Sequence, residues 1–284
     1  MAKQRKLKRS MMALGLATAM AVAPSAGRLT NAGTGIVAKA ADNEISTYEE
    51  LVAACAKSGT YTITKSIKIT QPVTVTGKDV TLKNADEKNV LWCDSPIACL
   101  FQVKSNNRLR IGATSDAQRV ILRGGTKDQG MVSNAVIMAT EGGVLYLNRF
   151  HIYRSNGSGV KILGRSSGYM HAKSGAGVEN NIVGIKPAKA CYGVVAVGDN
   201  SLFELEGGEI RDCSVGGVTV RASSTFRMKG GEIRSCSGGA GDVSIQKWGT
   251  ETISNGYGGG VFNQGSFEMA GGAITGNVSK CGGG

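Results

Sequence analysis

The sequence is poor in proline, with 4 residues in 284, and poor in aromatics, at 5%. So little proline excludes a proline-rich linker protein. So few aromatics leave few flat surfaces on which bases or sugar rings could stack. No zinc-ligand spacing, CxxC pair or phosphate-binding P-loop occurs, so metal and nucleotide chemistry have no motif to rest on, and no cofactor is expected. Aspartates are scattered rather than clustered, and the two histidines, His151 and His171, have no recognisable partner motif. Glycine is abundant, at 42 residues, but does not recur at every third position, which excludes a collagen-like triple helix.

The formal net charge of +12 resembles that of a nucleic-acid-binding protein. Seven of those charges, Lys3, Arg5, Lys6, Lys8, Arg9, Arg28 and Lys39, lie in the first 40 residues, which hold no acid. The remaining +5 over residues 41–284 forms no basic patch interleaved with aromatics, so no nucleic-acid partner is expected. The same N-terminal stretch has the three parts of a bacterial secretory signal: basic Met1 to Ser10, apolar Met11 to Ala23, then small residues. The apolar run falls short of the roughly 20 residues that span a bilayer, and no later segment is long enough either. Residues 1–40 therefore read as a signal peptide, cleaved after Ala26 or, through Ala38-Lys39-Ala40, after Ala40. A secreted or cell-surface-attached protein without a transmembrane span in its mature chain is expected.

The rest of the chain repeats itself. Gly207 to Cys213 reads GGEIRDC, Gly230 to Cys236 reads GGEIRSC and Gly271 to Asn277 reads GGAITGN. The step from Gly207 to Gly230 defines one period, and the third copy lies one period plus an excursion further on. Each copy follows an alternating stretch: Phe203-Glu204-Leu205-Glu206, Phe226-Arg227-Met228-Lys229 and Phe267-Glu268-Met269-Ala270. Before each of those stands a glycine with an apolar or alternating run, at Gly193, Gly217 and Gly260. One period thus holds three strands of about four residues, each too short to be stable alone. Stacking the same strand from successive repeats builds a parallel sheet, and three such sheets enclose a narrow core of Phe203, Phe226, Phe267, Leu205, Met228 and Met269. Fainter copies run upstream through Ala135 to Leu147 and through Gly159 to Ile162, the latter starting about one period after Ala135. At about 24 residues per coil, residues 59–284 form about nine coils, on the order of 45 Å long at the strand spacing of a sheet.

The fold class expected is therefore all-β: a right-handed parallel β-helix, or solenoid, over residues 59–284 with a short N-terminal capping helix within 41–58. Ser46 or Thr47 can cap that helix, with Glu49 or Glu50 completing a capping box. Leu51, Ala54 and Cys55 give it an apolar stripe to lay over the first coil, where an open end would otherwise expose strand edges. The closing residues, Lys280 to Gly284, resemble the start of another coil, so the chain is expected to be a piece of a longer one.

The run Gly259 to Asn277, with its GG-x-I unit, resembles the repeats of bacterial surface proteins with a pectin-lyase-like right-handed β-helix. The stretch from Thr47 to Leu82 resembles the N-terminal part of the same proteins. That resemblance implies an adhesin-like protein that binds an extracellular glycan or a host or microbial surface protein. Polysaccharide lyases and hydrolases share the fold, as do purely structural stalks, so an enzyme of the pectin-lyase-like type is the alternative.

Two stretches are expected to leave the regular coil as loops, and loops on a rigid scaffold carry recognition. Residues 164–190 hold Tyr169, His171 and Lys173; residues 238–258 hold Trp248 and Tyr257. Trp248, Tyr257, Tyr169 and His171 are the candidate ligand-binding residues. No catalytic residue and no metal ligand is assigned. Glu209 and Glu232 should stack on an outer face, but Arg211 and Arg234 beside them neutralise the pair, so surface ion pairs are expected there instead of an acid–base couple. Of the seven cysteines, Cys213 and Cys236 share one repeat position and read as buried thiols, with a cross-coil disulfide geometrically conceivable. Cys93 and Cys99 bracket a Pro96 loop that a local disulfide can close.

Overall fold

The structure is a computed structural model. It describes residues 30–31, 36–37, 43–112, 118–126, 131–155, 157–171, 177–179, 194–196, 200–213, 216–238, 245–248, 251–254 and 258–279. The residues read as a signal peptide, and both expected cleavage positions, lie outside these, apart from a two-residue antiparallel pair, Thr30–Asn31 with Ile36–Val37, in a unit comprising Met1–Asp42. The second unit, Asn43–Gly284, carries everything that follows.

This unit is all-β with mostly parallel strands in stacked sheets. After Glu44–Ile45, the first sheet takes Gly59–Ile63, Asp79–Asn84, Arg108–Ile111, Val144–Leu147, Ser167–His171, Leu202–Gly207, Thr225–Met228 and Ser266–Met269 in that order. The second takes Ile67–Lys68, Val90–Trp92, Val120–Arg123, Phe150–Tyr153, Gly177–Glu179, Glu209–Arg211, Glu232–Arg234 and Ala273–Thr275. The third takes Val73–Val75, Phe101–Val103, Ala135–Ala139, Ser158–Ile162, Val194–Ala196, Val218–Val220 and Val261–Asn263. The chain thus visits the three sheets in rotation, and each strand pairs in parallel with the strands of the neighbouring passes. This is the connectivity that a parallel β-helix requires.

Alternation within each strand decides which residues face inward. On the first sheet Phe203, Phe226 and Phe267 occupy one rung position, with Leu205, Met228 and Met269 two residues on. Their rings stack at 5.3 and 5.0 Å between centroids. Phe203 and Phe226 are fully buried, whereas Met269, on the last described pass, is 48% exposed. The second sheet contributes Ile210 and Ile233, the third Val218 and Val220, all fully buried. One apolar core runs through the stack from Ile45 to Cys236.

The GG-x-I unit has a conformational cause. The second glycine of each copy, Gly208, Gly231 and Gly272, has φ of 85°, 78° and 88°, a left-handed turn that delivers the following isoleucine position to the core. A Cβ on Gly231 would also stand 2.8 Å from the carbonyl oxygen of Gly208. At the next corner Asp212, Ser235 and Gly276 adopt φ of 55°, 53° and 59°.

Helix α1, Tyr48–Cys55, is capped by Thr47, whose hydroxyl accepts from the Glu50 N–H at 3.2 Å. The Glu50 carboxylate accepts from the Ser46 N–H at 2.8 Å, one residue earlier than a simple capping box places it. Leu51, Ala54 and Cys55 are its buried residues.

Three details differ from the sequence expectations. Ser158, not Gly159, lies opposite Ala135, so those passes keep the same spacing as Gly207 and Gly230. Cys93 and Cys99 are buried thiols and not a disulfide, whereas Cys213 and Cys236 are the buried thiols expected, and Cys55 is buried likewise. Cys191 and Cys281 lie outside the described residues, as do Lys280 to Gly284. Finally, Ser167–His171 is a regular first-sheet strand in register with Val144–Leu147. The inward residues of that strand are Gly168 and Met170, and a glycine in a core position hides the alternation from a sequence reading. Among the described residues no helix is long and apolar enough to cross a membrane.

Candidate functional site

The outward positions of the first sheet form columns, one residue per pass. The central column reads Thr81, Arg110, Tyr146, Tyr169, Glu204, Arg227 and Glu268. Strand spacing places these side chains about 4.8 Å apart, so like residues can stack on like. The Tyr146 and Tyr169 rings do so, at 5.1 Å and 17°. The other face of Tyr146 carries the Arg110 guanidinium, 4.3 Å from the ring centroid. Asp79 fixes that guanidinium with bonds of 3.1 and 3.3 Å, and these hydrogen bonds hold its carboxyl below the usual range against the opposing effect of burial.

Two residues beyond Tyr169, the His171 ring lies parallel to both tyrosines, within 3° and 16° of their planes. A register shift after Met170 sets His171 opposite Gly207. The extra residue, Glu206, still turns its carboxylate to His171 Nδ1, the neighbour it would face in an unshifted ladder. Burial raises the Glu206 carboxyl, but the bond with His171 and others outweighs it, leaving the carboxyl below its ordinary value. Lys229 bridges Glu204 at 2.6 Å and Glu206 at 3.4 Å. The site is therefore a rigid, half-exposed stripe: Asp79–Arg110, Tyr146, Tyr169, then the His171–Glu206–Lys229 cluster.

The stack determines what it can do. Tyr146 has a guanidinium on one face and Tyr169 on the other, so ring faces look along the column and ring edges look outward. Neither phenol hydroxyl has a hydrogen-bond partner among the described residues. The stripe offers hydroxyls, an imidazole and flanking charges in fixed positions, instead of an open aromatic platform.

Of the four candidates from sequence, Tyr169 and His171 come together here, on a strand and not on a loop. Trp248 lies on a short antiparallel pair, Ile245–Trp248 with Glu251–Ser254, opposite Glu251. Tyr257 and Lys173 lie outside the described residues. Tyr146, Arg110, Asp79 and Glu206 were missed. Tyr146 was legible, since it precedes Tyr169 by one full period of the repeat.

The carboxylates of the later coils are neutralised. Glu209 and Glu232 do stack, yet Arg234 holds Glu209 at 2.9 Å, Arg211 holds it at 3.2 Å, and Arg227 pairs with Glu268 at 2.9 Å. No group of three His, Cys, Asp or Glu side chains suited to a metal occurs among the described residues. Gly164-Arg165-Ser166-Ser167-Gly168 spells the GxSxG of serine hydrolases, but it leads into a parallel strand and not from strand to helix. The Ser166 hydroxyl is fully buried without a hydrogen-bonded base. Comparison with protein families, with curated proteins and with solved structures finds no match to this chain.

Proposed function

We propose that the chain is an exported, adhesin-like, right-handed parallel β-helix of the pectin-lyase-like type that binds an extracellular glycan through its outer sheet face. Right-handedness is supported by the near-universal hand of crossovers between parallel strands of one sheet. Export is supported by the basic, then apolar, then small-residue N-terminus. The observation that carries the binding role is the row of Tyr146 and Tyr169 hydroxyls beside His171 and Glu206. Partner-free hydroxyls and a bonded imidazole, held on a rigid sheet, suit the alternating donors and acceptors of a sugar chain lying along the stack.

The test is a glycan array probed with the intact protein and with a Tyr146→Ala/Tyr169→Ala double variant. Selective binding that the double variant loses supports the proposal. Release of unsaturated sugars from any polysaccharide would replace it with the lyase alternative, and binding unaffected by the double variant would remove the site.

A further inference from the structure

The outer face of the second sheet carries a different column. Lys68, Trp92, Arg123 and Tyr153 occupy successive rungs, so aromatic and cationic side chains alternate. The Arg123 guanidinium lies 5.0 Å from the centroid of the Trp92 ring. On the far side of the column, Arg154 stands 5.7 Å from the Tyr153 ring, and His151 packs beside Tyr153 at 5.0 Å.

Among the described residues, Arg123 has no counter-charge. Arg110 has Asp79, Arg119 has Glu87 at 2.8 Å, Arg227 has Glu268, and Arg211 and Arg234 share Glu209. Two nearby carboxylates with described side chains are already paired, Asp94 with Lys68 at 2.7 Å and Glu87 with Arg119 at 2.8 Å. Arg123 makes no ion pair or hydrogen bond through its side chain among the described residues, and its Nε is buried without a partner. Arg149, in the bend before Phe150–Tyr153, also has a buried Nε without a hydrogen-bond partner, but its charge acts on Glu87. A guanidinium held over the Trp92 ring and partly dehydrated has lost water hydrogen bonds, and an incoming anion replaces them best because it also balances the charge.

The donors nearby define that anion. The Trp92 indole N–H and the Tyr153 hydroxyl, on the rungs either side of Arg123, have no partner among the described residues, and both residues are half-exposed. A carboxylate has about four acceptor sites, but all lie in one plane on two oxygens, which suits donors coming from three successive rungs about 4.8 Å apart less well than a third oxygen out of that plane does. An ester of sulfate or phosphate projects three acceptor oxygens in different directions. We infer that Trp92, Arg123 and Tyr153 form a binding site for a tetrahedral oxyanion ester, sulfate or phosphate, carried on an extracellular polysaccharide.

The experiment titrates the intact protein with dextran sulfate, phosphomannan, polygalacturonate and neutral dextran. Dextran sulfate or phosphomannan should bind, whichever supplies the ester, and binding should weaken steeply with added salt. Arg123→Gln should lower that affinity by about tenfold to a hundredfold, as loss of a charge-assisted bond requires, and Arg123→Lys by less. Should Arg123→Gln fail to fold, Trp92→Phe removes one donor from the same site and should cost a severalfold loss. Tyr146→Ala/Tyr169→Ala should leave dextran sulfate binding unchanged, so this site and the first-sheet site can fail separately. Equal binding of neutral dextran, equal affinity for polygalacturonate, or indifference to Arg123→Gln and Trp92→Phe would each overturn the inference.

Discussion

Phe226→Ala is the most direct probe of how this chain is held together. Phe226 is fully buried between Phe203 at 5.3 Å and Phe267 at 5.0 Å, with ring planes within 16° and 10°. Truncation removes an aromatic side chain from a close-packed core, costing about 3–5 kcal/mol, and breaks two stacks instead of one. Phe267→Ala removes the same atoms from a partly buried position with one described stacking partner, so about 1–2 kcal/mol is expected. Because stacked repeats interact chiefly with their neighbours, the damage should stay local. Hydrogen exchange should show lost protection in Leu202–Gly207, Thr225–Met228 and Ser266–Met269, with Asp79–Asn84 unaffected. Urea unfolding gives the total, read as a broadened or two-step transition if coils uncouple. Equal costs for the two variants, or protection lost uniformly along the chain, would refute the claim that residues one period apart support each other directly.

Lys161 is 4% exposed, and burial pulls its ammonium down to about 7 from 10.5. Between those values the unfolded chain takes up a proton that the folded chain does not, so stability should rise with pH from about 7 to 10.5 and be flat for this group below 7, a span of up to about 5 kcal/mol. Lys161→Met should abolish that rise and raise the melting temperature at neutral pH, as thermal unfolding across pH will show. Asp79, Glu87 and Glu206 have carboxyls held below their ordinary values. Their stabilisation is present above the unfolded carboxyl range and is lost as pH falls through the lower folded values, so acid titration should unfold the chain and Asp79→Asn should flatten that loss. Ser235 holds φ of 53° where the third repeat has Gly276. Ser235→Gly should therefore stabilise by about 1 kcal/mol, and Gly231→Ala should destabilise by at least that much, both measured by urea unfolding.

The repeat period, the inward phenylalanine column and the helix with buried Leu51, Ala54 and Cys55 were all readable from residue order, because each depends on spacing along the chain. So were the ion-pair columns at Glu209–Arg234 and Arg227–Glu268: once like segments stack, charge partners follow from arithmetic. The side-chain stripes on the outer faces were not readable in this way. Arg110 and Tyr146, Trp92 and Arg123, and His171 and Glu206 are each separated by more than one regular period, since loops of unequal length lie between the strands. The thiol state of Cys93 and Cys99 and the edge-on display of Tyr146 and Tyr169 also waited on three dimensions. Inner positions are fixed by a shared hydrophobic demand that repeats with the chain. Outer positions are free of that demand, and only the stacking of whole strands decides which of them meet.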